Sequence, residues 1–179
     1  MSKVAVIGSG SWGTAIARLL GLKGIEVSMW SHGADTPAFI NENHRNPRYL
    51  KDVELPGVWC TNSYEEACDG VESVVIVTPS SCMRDNARAL APYIDTRTPV
   101  VVLSKGIEAG TGNTMVDVLI EELGGSERIA VLSGPNHAEE ISRELPAATC
   151  VACTYEKTAL YFQDLFTTDY LRVYTTTDV

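Results

Sequence analysis

The feature that most constrains the fold is a glycine-rich turn near the start of the chain. Gly8-Ser9-Gly10-Ser11-Trp12-Gly13 follows the apolar run Val4–Ile7 and leads into Thr14–Leu20, whose apolar residues repeat with helical spacing. Glycines at these positions allow a tight turn, a close approach of the backbone to a pyrophosphate, and close packing of the helix on the strand. The N–H groups at the start of the helix would face the phosphates. The pattern predicts a strand-turn-helix unit that binds a dinucleotide.

Short apolar runs alternate with amphipathic stretches along the rest of the chain, which is typical of parallel strands covered by crossover helices. The sequence therefore predicts an α/β fold: a Rossmann-type, doubly wound, mostly parallel sheet with helices on both faces. The predicted strands are Val4–Gly8, Glu26–Trp30, Ser73–Thr78, Pro99–Leu103, Ile129–Ser133, Ala148–Cys153 and Leu171–Tyr174. The predicted helices are Trp12–Leu22, Tyr64–Cys68, Met83–Ala91, Asn113–Leu123, Asn136–Arg143 and Thr158–Phe166. Ala34–Pro56 lacks strong periodicity and is predicted to form short helices and loops.

Length and composition limit the class of protein. A chain of 179 residues, 45% of them hydrophobic, predicts one domain over residues 1–179. The net charge of −9 argues against nucleic acid as a partner. No run approaches the roughly 18 apolar residues of a membrane span. Five scattered cysteines favour free thiols in the cytoplasm.

The end of the second predicted strand bears on the choice of cofactor. NAD-selective sites place Asp or Glu there, about 20 residues beyond the glycines, to bind the ribose hydroxyls. This sequence has Ser31, His32 and Gly33 instead. His32 is either a contact to the ribose or its 2′-phosphate, or an ordinary exposed loop histidine. NAD and NADP therefore both stay open as the cofactor.

Three further motifs follow predicted strands, at the sheet edge where open α/β folds bind ligands. Thr78-Pro79-Ser80 is either a ligand contact or a simple turn. Lys105 is either a donor to a phosphate or hydroxyl oxygen, or a solvated surface lysine. In Gly134-Pro135-Asn136, the asparagine either contacts a ligand or caps the next helix, with Glu139 completing a capping box.

These motifs, in this order, resemble those of one known family. They read G-S-G-S-W-G-T-A-I-A at 8–17, N-x-x-Y-L at 46–50, T-P-S at 78–80, L-S-K-G-I-E at 103–108 and S-G-P-N-H-A-x-E at 133–140. The whole chain resembles the N-terminal domain of bacterial NAD(P)-dependent glycerol-3-phosphate dehydrogenase. The tryptophan in the glycine turn and the last two motifs are more specific than the glycines alone. Two positions depart from the family, which commonly has Ser at 136 and Val or Ala at 78.

The resemblance implies a set of ligand contacts. Cofactor contacts would fall on Gly8, Gly10, Ser11, Trp12, Gly13, His32, Tyr49, Lys105 and Ala138. Substrate contacts would fall on Lys105, Gly134 and Asn136. The family's general-base lysine lies in a following helical domain that this sequence lacks, so we predict no catalytic acid or base here, and no metal ligand.

The reaction implied is reversible hydride transfer between sn-glycerol 3-phosphate, or dihydroxyacetone phosphate, and the nicotinamide of NAD or NADP. It would supply glycerol 3-phosphate for phospholipid synthesis, and the full-length protein would be a homodimer. The 179 residues alone would bind a dinucleotide weakly and turn over nothing. Two alternatives stay open: another two-domain dehydrogenase, of the ketopantoate or 3-hydroxyacyl-CoA type, and a dinucleotide-sensing module without catalysis.

Overall fold

An eight-stranded sheet forms the centre of the computed structural model, which describes residues 2–179. The strands are β1 Lys3–Ile7, β2 Glu26–Trp30, β3 Val58–Thr61, β4 Ser73–Ile76, β5 Val100–Val102, β6 Ile129–Ser133, β7 Ala147–Ala152 and β8 Leu171–Thr176. Their order across the sheet is β3-β2-β1-β4-β5-β6-β7-β8. All neighbouring pairs are parallel except β6 and β7. The first six strands have the order of a dinucleotide-binding Rossmann sheet.

Helices cover both faces of the sheet. They are α1 Ser11–Leu22, α2 Thr36–Asn43, α3 Tyr64–Cys68, α4 Met83–Leu90, α5 Met115–Leu123, α6 Ala138–Ser142 and α7 Glu156–Phe166. Alternate residues of β1 point to opposite faces: Val4 and Val6 join a core with α1, α6 and α7, whereas Ala5 and Ile7 join a core with α3, α4 and α5. The predicted fold class is therefore confirmed. No helix among residues 2–179 has both the length and the apolar character needed to cross a membrane.

The sequence prediction missed one strand. All seven predicted strands are present, but β3 was not predicted, and it forms the sheet edge beside β2. The strand has four residues, and the side chain of Trp59 is exposed, so its apolar pattern is weak. The predicted short helix within Ala34–Pro56 is present as α2.

Helix α1 is fastened to distant parts of the chain by two basic side chains. The Arg18 guanidinium donates to the Ser142 carbonyl at 3.1 Å and forms an ion pair with Glu144 at 3.0 Å. The Lys23 ammonium donates to three carbonyls at the end of α7, those of residues 164, 165 and 167, at 2.6 to 2.8 Å. A cation at a helix C-terminus satisfies carbonyls that lack helical partners. These contacts connect α1 to α6 and α7, the last two helices of the chain.

Three of the five cysteines are buried. None of the five, all within the described residues, forms a disulfide. Burial raises the pKa of Cys60 to about 12 and that of Cys68 to about 11, so both thiols stay protonated at neutral pH. In the segment Cys150-Val151-Ala152-Cys153, Cys153 is fully buried and its thiol donates to the Ile129 carbonyl at 3.3 Å. The segment therefore contributes to the core.

Candidate functional site

The glycine turn lies at the carboxyl edge of the sheet. Ile7 pairs with Trp30 on one side and Ile76 on the other, so the chain leaves β1 between two parallel neighbours. Gly8 has a φ of +127°, and a Cβ there would lie 2.7 Å from the Val77 carbonyl oxygen. A Cβ on Gly13 would lie 2.1 Å from the Gly8 carbonyl oxygen. Glycine at both positions is therefore required by the closeness of the backbone segments.

The first turn of α1 is open to a ligand. Its N-cap residue is Gly10, and within residues 2–179 no side chain caps it and no acidic residue lies in the first turn. A Cβ on Gly10 would meet no atom of the described residues within 4 Å. Uncapped N–H groups at the positive end of a helix bind phosphate well. The turn thus fits a pyrophosphate in its conformation, its free space and its polarity.

The buried side-chain amide of Asn46 connects a second loop, residues 46–49, to the glycine turn. Asn46, only 1% exposed, donates to the Ser9 carbonyl at 2.9 Å and to the Thr14 hydroxyl at 2.8 Å. Its Oδ1 accepts hydrogen bonds from the backbone N–H groups of Arg48 and Tyr49, at 2.9 and 3.1 Å. One side chain therefore sets the position of the 46–49 loop against the glycine turn. Sequence analysis gave Asn46 no role, although it begins the N-x-x-Y-L motif.

A cleft of about 510 Å³ runs along the turn. It is lined by residues 8–13, 30–33, 36, 46, 48, 49, 77–80 and 103–105. No carboxylate of the described residues borders it, whereas Arg48 and Lys105 do, in a chain whose net charge is −9. The lining therefore concentrates positive charge in an acidic chain and favours an anionic ligand.

Lys105 lies between this cleft and a second cavity. The second cavity, about 290 Å³, is lined by Trp12, Leu103, Lys105, Leu132, Gly134 and Asn136. Trp12, Leu103 and Lys105 border both spaces. The Lys105 ammonium donates to the Gly134 carbonyl at 2.7 Å, which bridges the loops after β5 and β6. Lys105 can therefore contact a ligand in either space.

An ion-pair network holds the loop that carries Lys105. Arg84 of α4 donates to both carboxylate oxygens of Glu108 at 2.7 Å and also pairs with Glu121 and Glu122 of α5. Hydrogen bonds from Arg84, followed by one from Thr111, lower the pKa of Glu108 to about 2. The Glu108 carboxylate is thus ionised throughout the neutral range and anchors the loop three residues beyond Lys105.

Two polar atoms at the site have no partner within the described chain. They are the Thr78 hydroxyl, at the cleft, and the Asn136 Oδ1, at the second cavity, and both are buried. The Asn136 amide nitrogen donates to the Ala148 carbonyl at 2.9 Å. The helix-capping alternative for Asn136 is wrong, because His137 is the N-cap of α6 and no side chain of residues 2–179 caps that helix. Buried polar atoms without a partner are costly, which makes both residues candidates for contact with a ligand.

Most of the predicted contact residues border the two spaces. Gly8, Gly10, Ser11, Trp12, Gly13, His32, Tyr49 and Lys105 line the cleft, and Lys105, Gly134 and Asn136 line the second cavity. Ala138 is the exception: it is 7% exposed, begins α6, and is absent from both linings as the described residues define them. No group of three or more His, Cys, Asp or Glu side chains within residues 2–179 is arranged to hold a metal ion.

Comparison with known proteins identifies relatives across the whole chain. Residues 3–159 match the family model described as the N-terminus of NAD-dependent glycerol-3-phosphate dehydrogenase. A glycerol-3-phosphate dehydrogenase [NAD(P)+] of Nocardia farcinica is 44% identical over 185 aligned positions, covering 100% of this chain and 55% of the relative. The Thermobifida fusca protein of the same name is 45% identical over 182 positions, covering 100% of this chain and 54% of its own length.

A solved structure agrees with this assignment. The crystal structure of glycerol-3-phosphate dehydrogenase from Coxiella burnetii has a TM-score of 0.92 and 29% identity, covering 99% of this chain and 55% of that one. The chain therefore spans about half the length of the relatives it matches. By the family model, which covers most of the sequence, the chain belongs to the family of NAD-dependent glycerol-3-phosphate dehydrogenase N-terminal domains.

Proposed function

We propose that residues 1–179 form the dinucleotide-binding half of an NAD(P)-dependent glycerol-3-phosphate dehydrogenase. The observation that carries this proposal is the open first turn of α1 at the end of a carboxylate-free cleft, joined at Trp12 and Lys105 to a second cavity. The family match and the curated names of the relatives support NAD or NADP as the ligand of the cleft. The second cavity is of a size for a small phosphorylated alcohol or ketone.

Each half of the proposed site has a chemical task. The bound nicotinamide would supply the carbon that accepts or donates the hydride. Backbone N–H groups of residues 10–13 hold the pyrophosphate, and Trp12 borders the space where the two ligands meet. Lys105 donates to a substrate oxygen in place of the Gly134 carbonyl, and Asn136 Oδ1 accepts from a substrate hydroxyl. The proton exchange is assigned to a lysine outside this chain, in agreement with the family resemblance.

The first test measures dinucleotide binding by this chain. We expect NADH or NADPH to quench the fluorescence of Trp12 and Trp30, the two tryptophans that line the cleft, with saturation. Gly10→Ala should weaken binding at least tenfold, because the new methyl group occupies the space through which the pyrophosphate approaches. The free energy of unfolding should change by less than about 1 kcal/mol, since a Cβ on Gly10 meets no described atom within 4 Å. Unchanged affinity in a folded Gly10→Ala variant would remove the pyrophosphate from this turn.

The second test uses the full-length protein that would carry this chain. Lys105→Ala should lower kcat/KM for glycerol 3-phosphate about tenfold or more, which corresponds to about 1.4 kcal/mol of transition-state binding. Lys157→Ala, an exposed lysine on α7, serves as the matched control and should be silent. A decrease of less than about threefold would exclude Lys105 from the mechanism. Dinucleotide binding by a full-length protein that oxidises none of a panel of hydroxy-acid and polyol phosphate substrates would favour the sensing module.

The biological setting is also proposed. The reaction would supply glycerol 3-phosphate for phospholipid synthesis, with the small-molecule substrate as the main partner of the site. The free thiols support a cytoplasmic location, because they suit a reducing compartment. The homodimer expected from the family resemblance, and the expectation that nucleic acid is not a partner, stay predictions.

A further inference from the structure

The surroundings of Arg48 point to a role in cofactor choice. Arg48 lines the cleft, is exposed, and within residues 2–179 its guanidinium makes no ion pair and no hydrogen bond. One of its terminal nitrogens lies 3.9 Å from the position that a Cβ on Gly33 would occupy, and Gly33 follows His32 in the loop after β2. Arginine beside the end of the second strand is suited to a phosphate at the ribose 2′ position.

The loop after β2 has the composition that such a phosphate requires. In place of the Asp or Glu that binds two ribose hydroxyls, it has Ser31, whose hydroxyl lies 2.7 Å from that of Ser9. His32 is exposed beside the cleft and can donate to a phosphate oxygen. Asp35, the carboxylate nearest in sequence, is not part of the cleft lining as the described residues define it. A phosphate dianion placed here would therefore meet hydrogen-bond donors, and it would meet no negatively charged side chain of the described cleft lining.

The backbone of Arg48 is held in a fixed relation to the pyrophosphate turn. Asn46 accepts from the Arg48 N–H at 2.9 Å and donates to the Ser9 carbonyl at 2.9 Å. The same buried amide thus positions the glycine turn and the start of the arginine side chain. This link holds the backbone of Arg48 in a fixed position relative to the pyrophosphate turn, so its side chain starts beside the turn and the loop after β2.

Resting on the proposed dinucleotide site, we infer that Arg48, assisted by His32, forms a binding site for the 2′-phosphate of NADPH, and that it makes the chain prefer NADPH to NADH. The 2′-phosphate accepts hydrogen bonds from the guanidinium in the charge-assisted manner typical of Arg with phosphate. NADH offers two hydroxyls at this point and gains no comparable interaction.

The inference is tested by titrating this chain with NADPH and NADH, and with adenosine 2′,5′-bisphosphate and 5′-AMP, which also differ only by the 2′-phosphate and lack nicotinamide. Arg48→Met should weaken the binding of NADPH and of the bisphosphate at least tenfold and change the binding of NADH and 5′-AMP by less than twofold. Arg48→Lys should recover part of the loss. The control is Arg45→Met, because Arg45 lies on the same segment, pairs with Glu54 at 3.1 Å and is absent from the cleft lining of the described chain.

The outcomes separate this inference from the proposal on which it rests. If the chain binds both dinucleotides and Arg48→Met weakens both equally, or neither, the dinucleotide site stands and the 2′-phosphate site is wrong. If the unsubstituted chain binds NADH and NADPH with equal affinity, the preference is wrong. Failure of the unsubstituted chain to bind either dinucleotide would overturn the proposed function and this inference together. Thermal unfolding of each variant shows whether it is folded, and the exposed position of Arg48 predicts an unchanged midpoint.

Discussion

Replacing Gly13 with alanine is expected to lower the free energy of unfolding by about 3 kcal/mol and the unfolding midpoint by about 6 to 12 °C. A Cβ there would lie 2.1 Å from the Gly8 carbonyl oxygen, a backbone atom that cannot rotate away. Relief of the clash requires α1 to move off β1, which also displaces the N–H groups that face the cleft. Dinucleotide binding should therefore fall with stability.

Urea unfolding followed by circular dichroism measures the first effect, and fluorescence titration the second. Gly10→Ala is the matched control for the stability measurement, since it adds the same methyl group to the same turn where the described residues leave open space. If Gly13→Ala unfolds with the same midpoint as the unsubstituted chain, the close contact between α1 and β1 is not a feature of the protein.

The second large effect is expected at a buried arginine far from the cleft. Arg128 is 5% exposed, and its guanidinium donates to the carbonyls of Gly124 and Thr98 at 3.1 and 2.9 Å, and to that of Leu123. Arg128→Met keeps the apolar stem and removes these donors, which leaves the buried Thr98 carbonyl and the part-buried carbonyls of Leu123 and Gly124 without this partner. Each unsatisfied group costs roughly 1 to 3 kcal/mol, so we expect a loss of about 3 kcal/mol in the free energy of unfolding.

The same denaturation measurement, with Arg97→Met beside it, checks this prediction. Arg97 pairs with Asp95, but its side chain is 91% exposed, so its replacement should change stability by less than about 0.5 kcal/mol. Equal small effects of both substitutions would contradict the structural role given to Arg128. Dinucleotide affinity should stay unchanged in folded Arg128→Met, because the residue is outside the cleft lining of the described chain.

Local sequence patterns were enough to predict elements that are determined by residues close together in the sequence. The strand β1, the glycine turn and α1 follow one another within 22 residues, and apolar periodicity together with glycine spacing is enough to identify them. The two features that the sequence did not reveal depend on pairing between distant segments. β3 becomes a strand because β2 supplies its partners, and the antiparallel direction of β7 is set against β6.

In the candidate site, too, residues identified by local patterns could be predicted, and residues whose role depends on distant contacts could not. Residues that directly follow a strand, such as Lys105 and Gly134, could be identified from the sequence because the end of a parallel strand marks the ligand edge. Asn46 and Arg48 could not, because their role depends on a hydrogen bond across 37 residues to Ser9. The helix-capping alternative for Asn136 was wrong for a related reason: its amide group donates to a carbonyl of β7, 12 residues away.

The basic side chains of α1 bear on how the molecule acquires its structure. Arg18 forms a hydrogen bond across 124 residues and Lys23 across 141 to 144, so these particular contacts form only when the last segments of the chain are present. During synthesis, the part of α1 that packs against α6 and α7 would stay uncovered until those helices are made. Contacts of such long sequence separation raise the contact order, and a high contact order goes with slow folding.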